Sequence, residues 1–196
     1  MYTERTFTIP ALDGITPESV AAHLGLYAGY VKNTNTLLAA QDEMLQDPQK
    51  NMLALAETSR RLPFEFNGVR LHELYFEQWE NGAQPLAADS TLAAALAKQF
   101  GSVEAWEARF KAVGSMRGVG WAVLYRDKAV GEFRHTWVDQ HHQGLLAELP
   151  VILILDIWEH AYLSQFGTAG RATYIETWFK NLNWSASEKR FTSSLT

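Results

Sequence analysis

The chain has 196 residues, 47% of them hydrophobic, enough to bury one large core or two small ones. Its formal charge of −5 is spread over interspersed acids and bases, which removes the long-range positive field that holds nucleic acid and excludes that partner class. Cysteine is absent, so disulfides, thiolate metal sites and thiol nucleophiles are ruled out, and any metal must sit on nitrogen and oxygen.

In chain order, Met1 to Ile15 shows no basic start followed by an apolar run, so no secretory leader is expected and a cytoplasmic location is the default. Thr16-Pro17-Glu18 predicts a helix start: a cap, a proline at the first helical position and an acid in the first turn. Val20, His23, Tyr27, Tyr30 and Leu37 then recur at helical spacing, which carries the helix to about Asp47, just before Pro48. A second helix is expected from Asn67 to Glu80, with Leu71, His72, Tyr75, Phe76 and Trp79 on one apolar face. The segment Glu80 to Pro85 breaks both periodicities, so the expected organisation is a helical hairpin over 1–84 and an α/β domain over 85–196.

Thr91 to Phe100 and Val103 to Ala112 read as short helices, with Gly101-Ser102 supplying a stop and then a cap. Trp121 to Tyr125 and Glu132 to Val138 read as strands around the turn at Arg126-Asp127-Lys128. The longest apolar run, Leu149 to Leu155, is far too short to cross a bilayer, and its β-branched part from Val151 reads as a central strand. Closing helices are expected near Trp158 to Phe166 and Tyr174 to Leu182. The expected fold class is α+β, with a small three-stranded antiparallel sheet covered by helices in the second half.

The chemistry concentrates in Leu155 to His160, where a carboxylate ends a buried apolar strand and a histidine follows on the first helical turn. An ionised carboxylate buried there needs a partner charge or a metal. Asp156 reads equally well as a helix cap, with Glu159 completing a capping box. His23 and His72 lie on core faces of helices in the other half, so three histidines and Asp156 form a candidate ligand set suited to manganese, iron or zinc.

Asp156-Ile157-Trp158-Glu159-His160-Ala161-Tyr162 fits the pattern D-x-W-E-H-A-Y, and here the chain resembles the iron and manganese superoxide dismutases. Supporting matches are His23, the segment Leu71 to Phe76, Phe100-Gly101-Ser102, Gly118 to Trp121 and Asn181 to Trp184, all in the family's order, with the loop before Asp156 most like archaeal members. The resemblance implies one manganese or iron ion on His23, His72, Asp156 and His160, with a solvent molecule in a fifth position. The activity it implies is conversion of superoxide to dioxygen and hydrogen peroxide by redox cycling. It further implies an aromatic shell of Trp121 and Trp158, and a gateway tyrosine at Tyr30 hydrogen-bonded to an outer glutamine or histidine, here Gln140 or His141. Position 68, where many iron enzymes carry their glutamine, is glycine. A homodimer is implied through Glu159, which in the family reaches the partner's equivalent of His160.

The sequence departs from the family at the gateway. Tyr30 follows His23 by seven residues where eight are usual, so the extra residue of a π-bulge is not needed and a regular helix is expected. Tyr27 stands in place of a midway histidine, and Leu163 replaces the tyrosine that pairs with it across subunits. The segment Gly167 to Arg171 is one residue longer than usual, which leaves open whether Arg171 stands at the substrate entrance; Lys32 is a second candidate there. These changes motivate an alternative, a catalytically impaired metal-binding relative on the same scaffold.

Overall fold

The computed structural model describes residues 1–195. Its first element, α1 (Pro17–Met44), begins as its chemistry dictates: Thr16 stays extended and its hydroxyl accepts the Ser19 N–H at 3.2 Å, while Pro17 occupies a position whose N–H has no helical partner. The helix is uninterrupted, and His23, Tyr27, Val31 and Thr34 form its buried stripe.

α2 (Met52–Glu77) starts fifteen residues before the expected Asn67. Pro63 lies inside it, and an internal proline removes a backbone bond at a cost of about 3 kcal/mol or more, which is why the sequence reads as broken upstream. Pro63 is exposed, so water can take up the freed carbonyl one turn earlier. The turn is also braced: Arg61 forks onto Glu65 through Nε at 2.8 Å and Nη2 at 2.5 Å, and Asn33 of α1 donates to the same carboxylate at 3.2 Å. α1 and α2 thus form the expected hairpin.

In the second half, α3 (Thr91–Phe100) and α4 (Val103–Gly114) are capped by Ser90 and Ser102, each accepting a backbone N–H at 3.1 Å. Strands β1 (Gly120–Asp127), β2 (Glu132–Asp139) and β3 (Val151–Asp156) form an antiparallel sheet in the order β2-β1-β3. β1 is therefore central, and the run from Val151 is an edge strand, against the expectation. It is apolar because helices cover it, and Gln78, just past α2, closes its free edge: the buried side-chain amide donates to Ile154 O at 2.7 Å and accepts Ile154 N–H at 3.0 Å. Gly120 must be glycine, since a Cβ there would lie 2.1 Å from Val138 O.

α5 (Glu159–Phe166) and α6 (Arg171–Lys180) pack against each other after β3, followed by α7 (Trp184–Ser193), which packs on β3 and which the sequence reading did not anticipate. Its buried Trp184, Ser187 and Phe191 recur at helical spacing, but serine-rich polar stretches between them hide the period. The three-stranded α+β fold agrees with the sequence expectation. Among the described residues, no helix is long and apolar enough to cross a membrane.

Candidate metal centre

Four elements bring the candidate ligands together. His23 comes from the buried stripe of α1 and His72 from that of α2. Asp156 ends β3, in register with Trp121 on β1, and His160 follows on the first turn of α5. Asp156 does not cap α5 in the usual way: Trp158 holds the cap position, and Asp156 Oδ1 accepts the Trp158 N–H at 2.8 Å. That bond turns Oδ2 toward the histidines. It lies 3.1 Å from His23 Nε2, 3.2 Å from His160 Nε2 and 3.5 Å from His72 Nε2. One donor atom from each of the four side chains falls within 4.8 Å of the others.

The tautomer of His72 follows from its other nitrogen. Nδ1 lies 2.6 Å from Gly68 O, and a carbonyl can only accept, so Nδ1 carries the proton. Burial holds His72 well below the ordinary imidazole value, with the neighbouring His23 adding to the effect, so the ring is neutral and Nε2 is a bare lone pair. That lone pair has no hydrogen-bond partner and faces a carboxylate oxygen. Burial alone would push the Asp156 carboxyl up, but the charge and hydrogen bonds of His160 and His23 outweigh it and hold the group below its ordinary range. Burial likewise lowers His23, more than Asp156 raises it. Two acceptors facing each other in a buried pocket repel, and a cation between them removes the repulsion. The set of three imidazoles and one carboxylate, without sulfur, fits iron or manganese.

Neighbouring residues fix this geometry. Tyr174 donates its hydroxyl to Asp156 O at 2.9 Å and shares a 2.9 Å hydrogen bond with the Tyr75 hydroxyl. Trp121 packs edge-on against His72 at 4.9 Å between ring centres, and Trp158 stacks on His160 at 5.6 Å. Both tryptophans expected in the shell therefore touch the cluster.

Of the two outer candidates, His141 faces inward and Gln140 does not. Trp121 Nε1–H donates to His141 Nδ1 at 3.0 Å, and His141 Nε2 lies 2.8 Å from the Tyr30 hydroxyl. Burial pushes His141 down to about 3, so near neutral pH it carries one proton, and the indole donor forces that proton onto Nε2. His141 therefore donates to Tyr30, whose own hydroxyl proton is left for another acceptor. Burial, reinforced by Asp156 and Glu65, holds the Tyr30 phenol well above its ordinary value. Gln140 contributes only its carbonyl, which accepts Trp158 Nε1–H at 3.3 Å, and its backbone is left-handed with φ 51°. Gly68 leaves room for the phenol: a Cβ there would lie 2.6 Å from the Tyr30 ring.

The remaining candidates lie around this centre. Tyr27 is buried and satisfied within its own chain, accepting Arg5 N–H at 2.8 Å and donating to Glu73 at 3.1 Å. Leu163 is half-buried on α5, and Glu159 is exposed beside His160, lining a surface cavity with Arg117, Thr168 and Arg171. Arg171 is bound to the Tyr162 hydroxyl, to Met116 O and, at 2.9 Å, to Gly118 O. Phe64, which the sequence reading missed, packs its ring 4.6 Å from His141 and 6.2 Å from both Tyr30 and Trp158. The signal was its spacing, since positions 64, 68 and 72 share one helical face, but the supposed break at Pro63 concealed it.

Comparison with known proteins agrees with this geometry. Residues 88–190 match the model of the iron/manganese superoxide dismutases, C-terminal domain. The chain is 35% identical to the superoxide dismutase (Fe) of Saccharolobus solfataricus, over 97% of this chain and 92% of the relative. It is 32% identical to the superoxide dismutase (Fe) of Sulfolobus acidocaldarius, over 96% and 92%. A superoxide dismutase (Mn/Fe) from Aeropyrum pernix is 33% identical, over 85% of this chain and 77% of the relative.

Proposed function

The chain belongs to the iron/manganese superoxide dismutase family, and from that premise we propose that it converts superoxide to dioxygen and hydrogen peroxide at one iron or manganese ion held by His23, His72, Asp156 and His160. The observation that carries this reading is the bare His72 Nε2 facing Asp156 Oδ2 in a buried pocket, a pairing that a bound cation makes favourable. Bound there, either metal would supply a one-electron couple able to oxidise one superoxide and reduce the next.

The chain's own part is to hold that centre in one geometry and to bring protons to it. Two protons are consumed for each peroxide released. Tyr30 is suited to pass them inward, because His141 already donates to its oxygen and leaves the hydroxyl hydrogen uncommitted. Trp121 fixes the tautomer that makes this possible, and Trp158 and Phe64 wall off bulk water on the outer side. The presence of this relay favours an active enzyme over the impaired metal-binding alternative. The relatives' names cover iron, manganese and both, so the metal is left to experiment.

A homodimer through the α5 face is part of the proposal, with Glu159 exposed for a partner. Tyr27, already satisfied internally, takes no part in it.

The test is the rate of superoxide decay with protein loaded separately with manganese and iron, beside an Asp156→Ala variant. Fast decay with one metal, lost in the variant, supports the dismutase. Stoichiometric metal with only background decay favours the impaired relative.

A further inference from the structure

An acidic chain acting on an anion needs local positive charge at the mouth of its site. Among the described residues, neither of the two cations suggested by sequence stacks on the rings around Tyr30 and His141; Arg171 lies over Tyr162 instead. Lys32 is exposed, but it follows Tyr30 by two residues, about 200° around α1, and so sits on another face. Arg171 bonds the Tyr162 hydroxyl and the carbonyls of Met116 and Gly118, neutral acceptors that leave its charge in place but hold it beside Tyr162 and Glu159.

Arg61 is placed differently. Its guanidinium lies over the Phe64 ring, 3.9 Å from the centroid, and Phe64 in turn contacts the rings of His141, His142, Trp158 and Tyr30. Nε and Nη2 are fixed by Glu65, and Nη1 has no hydrogen-bond partner among the described residues. The pair is also oriented. The Arg61 side chain is 45% exposed and that of Glu65 is 4% exposed, so an ion arriving from solvent meets the positive end first.

We propose that Arg61, pinned by Glu65 against Phe64, is a cation that draws the anionic substrate toward Tyr30 and His141. This deepens the dismutase reading and rests on it. The role is steering, so it should appear in kcat/KM and depend on salt, because screening shortens the reach of the charge to about 10 Å at 0.1 M and about 3 Å at 1 M.

The experiment measures superoxide decay by metal-loaded protein across that salt range for Arg61→Gln, Arg61→Lys, Glu65→Gln and, as a remote charge control on α3, Lys98→Gln. Azide affinity, followed by optical titration of the same samples, gives a second readout that needs no turnover. Arg61→Gln should lower kcat/KM by about two- to fivefold at low salt, with the gap closing at 1 M. Arg61→Lys should keep most of the wild-type salt slope, and Lys98→Gln all of it. Glu65→Gln, which removes the compensating carboxylate, should move the low-salt rate upward, and azide affinity should follow the same order.

A wild-type salt slope in Arg61→Gln would overturn the proposal. So would equal losses in Arg61→Gln and Glu65→Gln at every salt concentration, which would mark a packing role. Wild-type protein without superoxide decay would sink the dismutase reading instead, and the azide titration would still decide whether Arg61 gathers anions.

Discussion

Among the described residues, two regions bury an unpaired histidine Nε2, and only one of them gathers further metal-ligating side chains. At the junction of the two halves, His72 gives its Nδ1 proton to Gly68 O and turns a bare lone pair toward Asp156. In the second half, His135 on β2 packs among Phe100, Trp106 and Phe110, with ring centres 5.1, 6.5 and 6.1 Å away, and its Nε2 is equally unpartnered. Burial lowers the basicity of both. The difference is the company: one lone pair meets a carboxylate and two more imidazoles, the other meets hydrocarbon. A buried histidine is therefore a site only where other donors converge on it.

Breaking the aromatic region should cost stability. Trp106→Ala removes a fully buried indole and should destabilise the fold by about 3–5 kcal/mol, measured by denaturant unfolding. Metal stoichiometry in the fraction that remains folded should be unchanged, because no candidate ligand touches Trp106. Loss of metal from folded Trp106→Ala would mean that the two regions are coupled.

Breaking the junction while sparing its ligands should cost rate. Tyr30→Phe should lower superoxide turnover by about a hundredfold or more with little change in metal content, as loss of a positioned proton donor does. Gly68→Ala should act by displacing the same ring, since its Cβ would lie 2.6 Å from Tyr30, at about 1–3 kcal/mol of stability. Comparable turnover losses in the two variants would place the effect at the phenol.

The smallest effect is the pH dependence contributed by His135. Burial pushes its folded-state value down to about 4 from an ordinary 6.5, so the unfolded chain binds the proton more readily. Its contribution to stability is complete above pH 6.5 and declines as pH falls from there toward 4. His135→Phe should flatten the stability profile of metal-free protein in that window, leaving only the slope due to the other buried groups. An unchanged profile would mean that His135 is protonated as easily in the fold as out of it.

The same contrast explains what could be read from sequence. Asp156 and His160 stand four residues apart in a strand-to-helix junction, so one short motif shows half of the candidate ligand set, and His23 and His72 stand out as polar interruptions of apolar helical faces. Strands and short helices were legible because turn residues such as Gly101-Ser102 bound them. The first half of α2 was hidden by Pro63, whose cost is offset by exposure and by the Arg61–Glu65–Asn33 brace, contacts that sequence does not display. Gln78 could not be found either, since its partner Ile154 is 76 residues away and nothing local marks a buried amide as a substitute strand. Of Gln140 and His141, it is His141 whose side chain meets Trp121 and Tyr30, contacts that no local sequence signal displays.

The most direct test of the central claim is the metal content of purified protein beside a His72→Leu variant, by elemental analysis after loading with iron or manganese. The account predicts one ion per wild-type chain and less than about a tenth of that in the folded variant, as expected when a ligand is lost. A full complement of metal in folded His72→Leu would contradict it, because the lone pair facing Asp156 would then hold nothing.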